Sequence, residues 1–381
     1  MKLLLVTDAW EPQINGVTRT WQQVVGQLRQ QGHEVVVIHP GLFRSIAAPR
    51  YGEIRVALFP GRKVKRLMRM HNADAVHIST EGTLGLAARR WCHRNKVSYT
   101  TSYHTQYPLY LKRYYGIPTR ITERFIHWFH KRARYCLVPT KSVHLQLRGY
   151  GLANTVVWSR GIDPEIFHDR YDYVPETLRD LPRPIFLYTG RVAIEKNLGA
   201  FLSLDLPGCK VVVGDGPAIN EMARDYPNTH FLGYRFGKEL GAHYSAADVF
   251  VFPSLTDTFG VVMIEANACG LPVAAFPVTG PCDVIEEGKN GCLDKDLKAA
   301  CLRALSLDRH RCAEMGKANT WEACANVVYD HAVDRHEVVM EDLDPVPKPA
   351  KSSRPGSALP SSVEENGGER GIRTPGTSRY T

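Results

Sequence analysis

The sequence predicts two doubly wound α/β domains, each built on a parallel sheet with helices on both faces. Short β-branched runs alternate with helical stretches along most of the chain, which is the pattern of strand–helix–strand units. The alternation falls into two series, and a proline-containing stretch at residues 169–184 separates them. A chain of 381 residues also exceeds one ordinary domain. We therefore expect domains at residues 1–168 and 185–337, joined by a linker at 169–184.

The strand candidates are short runs rich in valine, isoleucine, leucine and aromatic residues. The first series contains residues 3–7, 34–38, 74–78, 97–101, 135–139 and 155–158, and the second contains residues 185–189, 210–214, 229–232, 248–252 and 272–275. The last helix of the second series is a candidate to cross back to the first domain. Residues 340–381 are rich in proline, serine and glycine and are expected to be disordered.

Charge is distributed unevenly along the chain. Residues 1–170 hold 26 Lys and Arg against 10 Asp and Glu, whereas the remainder holds 22 against 29. This bias indicates an anionic partner, namely nucleic acid, anionic lipid or an acidic substrate, unless it reflects a generally basic host proteome. The nine cysteines are scattered and form no C-x-x-C pair, which favours a reducing cytoplasm and no structural zinc. No apolar run is long enough to span a membrane, and the N-terminus reads as a strand rather than a signal peptide.

Two acidic residues surround the start of a helix in the second series. Asp257 follows the strand at 248–252, and Glu265 lies eight residues further on, inside an apolar helix. A loop acid and a helix acid at this spacing can face one pocket at the helix N-terminus, where N–H groups and the helix dipole favour a phosphate. A carboxylate on a buried helix needs partners, and paired ribose hydroxyls would satisfy Glu265. A surface-exposed Glu265 is the alternative.

Two cations follow the strand at 185–189. Arg191 and Lys196 are separated by a short loop, and the carboxyl ends of parallel strands are where doubly wound sheets bind ligands. An arginine can form paired hydrogen bonds to phosphate oxygens, and a lysine can act as a point charge. The two residues are therefore candidates to hold a diphosphate, with solvated surface cations as the alternative.

Three other strand ends carry weaker signals. Gly16 opens the first helix and would let a backbone N–H approach a phosphate, unless it is a plain turn glycine. Gly214 begins a Gly-Asp-Gly-Pro segment that is a poor nicotinamide fingerprint and is better interpreted as a turn beside a base pocket. His104 could hydrogen-bond a sugar hydroxyl, although an isolated histidine is more often structural. The sequence shows no compelling metal cluster.

In combination these segments resemble the retaining glycosyltransferases of family 4, which have the GT-B fold, over about residues 1–335. The segments that carry the resemblance are 12–17, 104, 159–163, 190–191, 196–197, 214–217, 246–254, 257–265 and 268–273. One departure is that the family's usual E-x7-E pattern begins here with Asp257, which is one methylene shorter and can alter sugar choice. The Thr-Asp-Thr-Phe-Gly variant is similar to a subgroup that acts on lipid acceptors.

The resemblance implies a cleft between an acceptor-binding first domain and a nucleotide-sugar-binding second domain. It also implies a front-face substitution that retains configuration and needs no metal or other cofactor. The implied roles are donor phosphate contact for Gly16, diphosphate binding for Arg191 and Lys196, donor sugar and phosphate binding for Asp257 and the backbone of Phe259, Gly260 and Val261, ribose binding for Glu265 and contact with the transferred sugar for His104.

The expected activity is transfer of a hexose from a UDP- or GDP-linked sugar to a membrane lipid, such as diacylglycerol or a glycolipid. Two basic stretches carry apolar stripes that could lie on an anionic membrane, on the cytoplasmic face of the inner membrane. The stripes consist of Val64, Leu67 and Met68 and of Ile121, Phe125, Trp128 and Phe129. Core-facing helices with solvated outer faces are the commoner alternative.

Other functions share part of this evidence. A glycosyltransferase with a soluble or polysaccharide acceptor would have the same donor features. A nucleic-acid-binding protein would explain the basic charge, but it would not explain Arg191, Lys196, Asp257 and Glu265 together. We therefore expect no nucleic-acid partner.

Overall fold

The computed structural model describes residues 1–13, 15–48, 51–106, 108, 111–112 and 116–333. The tail at 340–381, which the sequence predicts to be disordered, lies outside the described residues. All nine cysteines lie within the described ranges and are free thiols.

The first part of the chain forms a six-stranded parallel sheet and a separate antiparallel pair. The strands are β1 (Lys2–Val6), β2 (Glu34–Ile38), β3 (Ser45–Ala48), β4 (Tyr51–Ala57), β5 (Ala75–Ile78), β6 (Thr100–Ser102), β7 (Cys136–Val138) and β8 (Thr155–Val157). The parallel sheet has the order β2-β1-β5-β6-β7-β8. Its helices are α1 (Gly16–Gln30), α2 (Gly61–His71), α3 (Thr83–Asn95), α4 (Thr119–His130) and α5 (Lys141–Gly149), with a 3-10 turn at Pro40–Leu42.

The second part forms another six-stranded parallel sheet. The strands are β9 (Ile185–Thr189), β10 (Cys209–Val213), β11 (Thr229–Phe231), β12 (Val249–Phe252), β13 (Val273–Ala275) and β14 (Gly291–Leu293), in the order β11-β10-β9-β12-β13-β14. The helices are α6 (Glu176–Arg179), α7 (Leu198–Leu202), α8 (Ile219–Asp225), α9 (Gly237–Ala246), α10 (Val261–Ala268), α11 (Pro281–Val284), α12 (Leu297–Ala304), α13 (Arg309–Lys317) and α14 (Trp321–Val333), with a 3-10 turn at Ile194–Lys196. We call the elements from β1 to β8 the first lobe and those from β9 to α13 the second lobe.

The prediction of two doubly wound parallel sheets is confirmed. Every predicted strand occurs within a few residues of its expected position. The central strands are apolar throughout because helices cover both faces of each sheet. All five residues of β9 are buried, as are all four of β12. This continuous burial is why the strands were recognisable as short apolar runs.

Three elements of the fold differ from the prediction. The β3–β4 pair was missed because it lies between two strand–helix units, and only residues 53–56 alternate apolar and charged side chains in the way typical of a strand. The strand β14 has three residues, which is too short to form a recognisable pattern. The apolar stripe of α2 was expected to be able to face a membrane, and this is wrong. Its residues Val64, Leu67 and Met68 are buried in the core of the first lobe.

The last helix leaves the second lobe and packs on the first. Trp321 and Cys324 of α14 belong to the same core cluster as Leu3 and Trp21. The indole of Trp158 donates a 2.9 Å hydrogen bond to the carbonyl of Cys324. The chain therefore passes between the lobes twice, once after β8 and once before α14. The two passages lie side by side, because Ile162 forms a parallel bridge with Thr320.

The order of the second sheet determines where its cleft opens. β9 lies between β10 and β12 in the sheet. The connections that follow the carboxyl ends of these neighbouring strands therefore run to opposite faces of the sheet. A crevice forms at such a switch point, and doubly wound proteins bind ligands there. In the first sheet β1 takes the same place between β2 and β5. The candidate residues after β1, β9 and β12 therefore all lie at sheet edges suited to a ligand.

Candidate active site

The switch point of the second sheet brings Lys196 and Asp257 into contact. Lys196 ends the 3-10 turn after β9, and Asp257 lies in the loop after β12. The Lys196 ammonium lies 2.8 Å and 2.9 Å from the two carboxylate oxygens of Asp257. The side chain of Asn197 donates a 3.1 Å hydrogen bond to the carbonyl of Pro253, which joins the same two loops. The sequence predicted both residues, and the structure pairs them.

The ion pair between Lys196 and Asp257 is only partly covered by the rest of the protein. About a quarter of each side chain is exposed, 26% for Lys196 and 27% for Asp257. Burial by itself would raise the pKa of the Asp257 carboxyl, but the charge and hydrogen bonds of Lys196 hold that pKa below its usual value. Arg191 follows β9 directly and is half-buried, and its carbonyl accepts a 2.9 Å hydrogen bond from the Tyr188 hydroxyl. The loop after β9 thus presents cationic side chains at the mouth of the crevice.

The N-terminus of α10 faces this crevice without a side-chain cap. Gly260 precedes the helix with φ of 85°, a conformation that favours glycine. A Cβ atom at Gly260 would lie 2.8 Å from Met263 Cε and 2.9 Å from Phe252 Cζ, so packing also requires glycine there. Phe259 is buried beside it, and Val261 begins the helix. The first N–H groups of an uncapped helix form an anion site because they lack acceptors within the helix.

Glu265 lies on the buried face of α10 and has a protein partner on each carboxylate oxygen. Its Oε1 accepts a 2.9 Å ion-pair contact from Arg19 Nη1, and its Oε2 accepts a 3.3 Å hydrogen bond from the Tyr244 hydroxyl. The Tyr244 hydroxyl in turn forms a very short hydrogen bond with Thr189. Only 1% of Glu265 is exposed, and burial raises the pKa of its carboxyl although Arg19 and Tyr244 act to lower it. Glu265 is therefore a buried carboxylate held by an arginine of the opposite lobe.

The start of α1 lies across the cleft from Glu265. Asn15 caps this helix, and its side-chain oxygen accepts hydrogen bonds from the N–H groups of Val17 and Thr18 at 3.1 Å and 3.0 Å. A Cβ atom at Gly16 would meet nothing within 4 Å. Because protein packing does not require glycine here, the open space before Gly16 is free for a ligand.

His104 is held in a polar network at the edge of the first sheet. Its Nε2 accepts a 3.0 Å hydrogen bond from the Trp21 indole and lies 2.9 Å from the Ser102 hydroxyl. Its Nδ1 lies 3.2 Å from Arg160 Nη2. Burial and the positive charge of Arg160 hold the pKa of the His104 ring well below its usual value, so the imidazole is neutral near pH 7. Both ring nitrogens have protein partners within hydrogen-bond distance, and a neutral ring does not stabilise negative charge.

A hydrogen bond joins His104 to the loop after β12 in the other lobe. The Thr258 hydroxyl donates a 2.7 Å hydrogen bond to the carbonyl of His104. Thr258 is the neighbour of Asp257, so this bond places the loop with the first acid against the strand end that carries the histidine. Together with the contact between Arg19 and Glu265, it brings the predicted residues of both lobes to one cleft.

Gly214 contributes to the site through the backbone. Its φ of 141° and the approach of the Gly190 carbonyl, 1.9 Å from where a Cβ would stand, require glycine. Its N–H donates a 2.8 Å hydrogen bond to the carbonyl of Gly233. The absence of a side chain at 214 is thus explained by the packing of the β9 and β10 loops. Its predicted place beside a base pocket stays a prediction.

Several residues of the site were not assigned from the sequence. Arg19 had a signal, because a cation in the first turn of a helix is disfavoured by the helix dipole and needs another reason to be there. Arg160 belongs to the matched segment 159–163, but nothing in the sequence indicated that it would contact His104. Tyr244 and Thr258 contact the predicted residues only through the fold, and the sequence gives no signal for them.

Within the described residues, no group of three or more His, Cys, Asp and Glu side chains is arranged to hold a metal ion. None of the described helices combines the length and the apolar character needed to cross a bilayer.

Family models match both halves of the chain. The model for Glycosyltransferase Family 4 matches residues 14–166, which contain Gly16, His104 and the strands of the first sheet from β2. The model for Glycosyl transferases group 1 matches residues 183–306, which contain the crevice of the second sheet. The chain belongs to glycosyltransferase family 4. Lys196, Asp257 and Glu265 all lie within the residues that the second model matches.

Three curated relatives of this family 4 glycosyltransferase align with 80–88% of its length. A GDP-mannose-dependent alpha-mannosyltransferase of Corynebacterium glutamicum is 28% identical over 373 residues, covering 88% of this chain and 89% of the relative. The sulfoquinovosyl transferase SQD2 of Arabidopsis thaliana is 29% identical over 338 residues, covering 80% of this chain and 66% of the relative. The alpha-monoglucosyldiacylglycerol synthase of Streptococcus pneumoniae is 25% identical and covers 80% and 78%.

Solved structures of other glycosyltransferases share the fold. Sucrose-phosphate synthase from Thermosynechococcus elongatus superposes with a TM-score of 0.66 at 19% identity, over 86% of this chain and 97% of that one. A glycosyltransferase from Rickettsia africae gives a TM-score of 0.66 at 16% identity, over 88% and 99%. These similarities confirm the predicted GT-B fold.

Proposed function

We propose that the protein is a retaining hexosyltransferase that moves a hexose from a UDP- or GDP-linked sugar to a membrane lipid, either diacylglycerol or a glycolipid. It uses no metal or other cofactor in this proposal. The observation that carries the donor half is the Lys196–Asp257 pair beside the uncapped N-terminus of α10. This arrangement offers positive charge and free N–H groups at one end of the cleft, where a diphosphate would depart.

The donor occupies the switch point of the second sheet. Its pyrophosphate lies between Arg191, Lys196 and the N-terminus of α10, and the α1 end at Gly16 approaches it from the other lobe. Asp257 and the backbone at 259–261 hold the sugar, and Glu265 accepts hydrogen bonds from the ribose hydroxyls. A buried, ionised carboxylate is a strong acceptor for paired hydroxyl donors.

The proposed chemistry is a substitution on the face from which the diphosphate leaves. The bond between the anomeric carbon and the phosphate oxygen breaks, and the negative charge that develops on the diphosphate is stabilised by Arg191, Lys196 and the α10 N–H groups. The acceptor hydroxyl attacks the anomeric carbon from the same face and gives its proton to the departing phosphate oxygen. His104 contacts the transferred sugar in this proposal.

The acceptor half rests on the relatives and on the surface of the first lobe. The printed names of two relatives include sulfoquinovosyl transfer and synthesis of a glucosyldiacylglycerol. A phosphatidylinositol dimannoside mannosyltransferase of Mycobacterium tuberculosis is also similar, at 24% identity. A lipid acceptor for this chain follows from these relatives, and it accounts for the excess of Lys and Arg in residues 1–170.

The membrane-facing surface is the outer face of α4. Ile121, Phe125 and Trp128 are 61%, 38% and 45% exposed and form one stripe along the helix, whereas Phe129 is buried. Arg124 is exposed beside them, whereas Arg89, which stacks over the Trp128 ring at 3.9 Å from its centroid, is buried. An exposed apolar stripe among cations suits the boundary between headgroups and acyl chains of an anionic membrane. In this proposal the enzyme is peripheral, on the cytoplasmic face of the inner membrane.

The test combines donor binding with product analysis. Thermal unfolding is followed with UDP and with GDP, and the nucleotide that stabilises the protein selects the sugars offered with diacylglycerol vesicles. We expect stabilisation by one nucleotide and a new glycolipid that separates on chromatography and has the mass of the lipid plus one hexosyl residue, that is, one hexose less one water. The Lys196→Ala variant should lose about 100-fold or more in kcat, as expected when a group that stabilises leaving-group charge is removed.

Lys238→Ala is the matched control, because Lys238 is an exposed cation on α9 of the same lobe. It should keep full activity. Stabilisation by neither nucleotide, or an unchanged Lys196→Ala variant, contradicts the donor site. Transfer to a soluble sugar but to no lipid contradicts the acceptor half alone.

A further inference from the structure

Arg19 occupies the carboxylate that the donor is proposed to use. Its Nη1 lies 2.9 Å from Glu265 Oε1, and Tyr244 holds the other oxygen of Glu265 at 3.3 Å. Both oxygens of this buried carboxylate are therefore engaged by protein. A carboxylate oxygen can accept a second hydrogen bond, but the Glu265 side chain is only 2% exposed, so the ribose hydroxyls gain access to it when Arg19 moves away.

Arg19 can move without disturbing the core. Its side chain is 43% exposed, in contrast to 2% for the Glu265 side chain. Its guanidinium lies 5.5 Å from the centroid of the Phe167 ring. A cation–π contact of this kind depends less on exact geometry than a hydrogen bond does, so it can persist while the arginine side chain moves. Glu265 is fixed by the packing of α10, so Arg19 is the partner that moves.

Arg19 is also close along the helix to the proposed phosphate position. It lies three residues after Gly16 in α1, and residues three apart share one face of a helix. The space before Gly16 is open. A cation in the first turn of a helix is opposed by the helix dipole, and an anion bound at that helix end removes the conflict. The face of α1 that carries Gly16 and Arg19 is thus complementary to a phosphate.

We propose that Arg19 is a donor-binding residue that exchanges Glu265 for the pyrophosphate when the nucleotide sugar binds. This inference rests on the proposed function, because it takes Glu265 as the ribose site. The bound nucleotide gives each member of the ion pair a new partner. Its ribose hydroxyls donate to Glu265, and its phosphate oxygens accept from the Arg19 guanidinium. The arginine then adds a cation from the first lobe to Arg191 and Lys196 of the second.

The exchange changes what joins the two lobes at this point. Without donor, the link is the direct contact between Arg19 of α1 and Glu265 of α10. With donor, the link runs from Arg19 through the phosphates and ribose to Glu265. The donor therefore replaces the direct contact between the lobes with a contact through itself. This replacement keeps the cleft assembled around the bound nucleotide.

The test compares a nucleoside diphosphate with its nucleoside, because only the former carries phosphate. Affinities of the full-length protein and its variants for UDP and uridine, or for GDP and guanosine, are measured by calorimetry and by ligand-observed NMR titration. In Arg19→Gln we expect the diphosphate to bind about tenfold or more weakly, the loss typical of one charged hydrogen-bonding group. The nucleoside should bind equally well or more tightly, because its competitor for Glu265 is gone.

Two further variants separate this role from a structural one. Arg19→Lys keeps a point charge and should recover part of the diphosphate affinity. Arg90→Gln removes an exposed arginine from α3 and should leave both affinities unchanged. Thermal unfolding of all variants verifies that they are folded.

The outcomes are distinct. A lower ratio of diphosphate to nucleoside affinity in Arg19→Gln supports the exchange. An equal gain for both ligands means that Arg19 only competes for Glu265, and an equal loss means that it only supports the fold. Either result overturns the inference and leaves the proposed function standing. Failure of the unsubstituted protein to bind either diphosphate overturns both.

Discussion

The hydroxyl of Thr258 donates a 2.7 Å hydrogen bond to the backbone carbonyl of His104. The two residues belong to different lobes. His104 is a residue of the proposed donor site, and Thr258 is the neighbour of Asp257, which is another. The same histidine is fixed through its ring by Trp21 and Ser102. The bond therefore sets the position of the Asp257 loop against a rigid part of the first lobe.

Removing this hydroxyl should affect catalysis more than stability. In Thr258→Val the free energy of unfolding should fall by about 1 kcal/mol, the usual net contribution of one hydrogen bond. We expect kcat/KM to fall about tenfold, because a small displacement of a positioning loop has a large effect on rate. Steady-state assays with the matching nucleotide sugar measure this. Thr258→Ser keeps the hydroxyl and should retain most of the activity; equal rates for both variants would show that the bond does not position the loop.

Donor affinity should depend on pH through Glu265. Burial raises the pKa of this carboxyl above its ordinary value of 4.5. The carboxyl therefore favours folding at low pH, and this contribution is lost as pH rises through the raised pKa. Donor binding has the opposite dependence, because the ionised form accepts the ribose hydroxyls more strongly. We expect the Kd for the nucleoside diphosphate to increase as pH falls through that pKa.

Glu265→Gln supplies the control for the pH profile. An amide at this position does not titrate, so the variant should bind the diphosphate weakly with a flatter profile. His104 should not contribute between pH 6 and 8, because the pKa of its buried ring lies well below 6.5. Identical pH profiles of the variant and the unsubstituted protein, after correction for titration of the ligand phosphates, would assign the dependence to another group.

Two glycines at helix starts should respond differently to alanine. Gly16→Ala should keep or slightly raise the melting temperature, because a Cβ there meets nothing within 4 Å and alanine is less flexible in the unfolded chain. It should nevertheless weaken diphosphate binding, because the methyl group enters the proposed phosphate space. Gly260→Ala should lower the free energy of unfolding by about 1–3 kcal/mol, because φ is positive and the Cβ would meet Met263 and Phe252. Calorimetry and thermal unfolding separate the two effects.

Membrane binding should depend on the apolar stripe of α4. The Ile121→Ser and Trp128→Ser changes together should reduce sedimentation with anionic vesicles about tenfold or more, since each buried apolar side chain contributes on the order of 1–3 kcal/mol. Leu145→Ser is the control, because Leu145 is 68% exposed on a different helix, α5. Equal loss in both proteins, or no loss in either, places the contact elsewhere.

The sequence predicted the parts of the fold and site that depend on local order. Alternating strands and helices implied parallel sheets, and polar residues in the loops that follow strands, such as Arg191 and Asp257, were therefore expected at the ligand-binding edge. The contact between Lys196 and Asp257 follows from the adjacency of β9 and β12, which is a property of the sheet order rather than of either loop.

The contacts between lobes could not be predicted in this way. Arg19 and Glu265 lie on helices of different domains, and nothing in either helix specifies the other. The stripe of α2 was misinterpreted for a related reason. A helix with one apolar and one basic face has the same sequence pattern whether its apolar face meets a core or a lipid. In α2 that face meets the core, and in α4 part of it does not.

The bridge between Ile162 and Thr320 has a mechanical consequence. The second lobe is inserted into the first through two backbones that touch where they cross, and Ile162 also donates a 3.1 Å hydrogen bond to the carbonyl of Asn319. Because the two connecting segments are paired, they should bend together. The cleft opposite them should then open by a hinge rotation about one axis, rather than by independent motion of the two lobes.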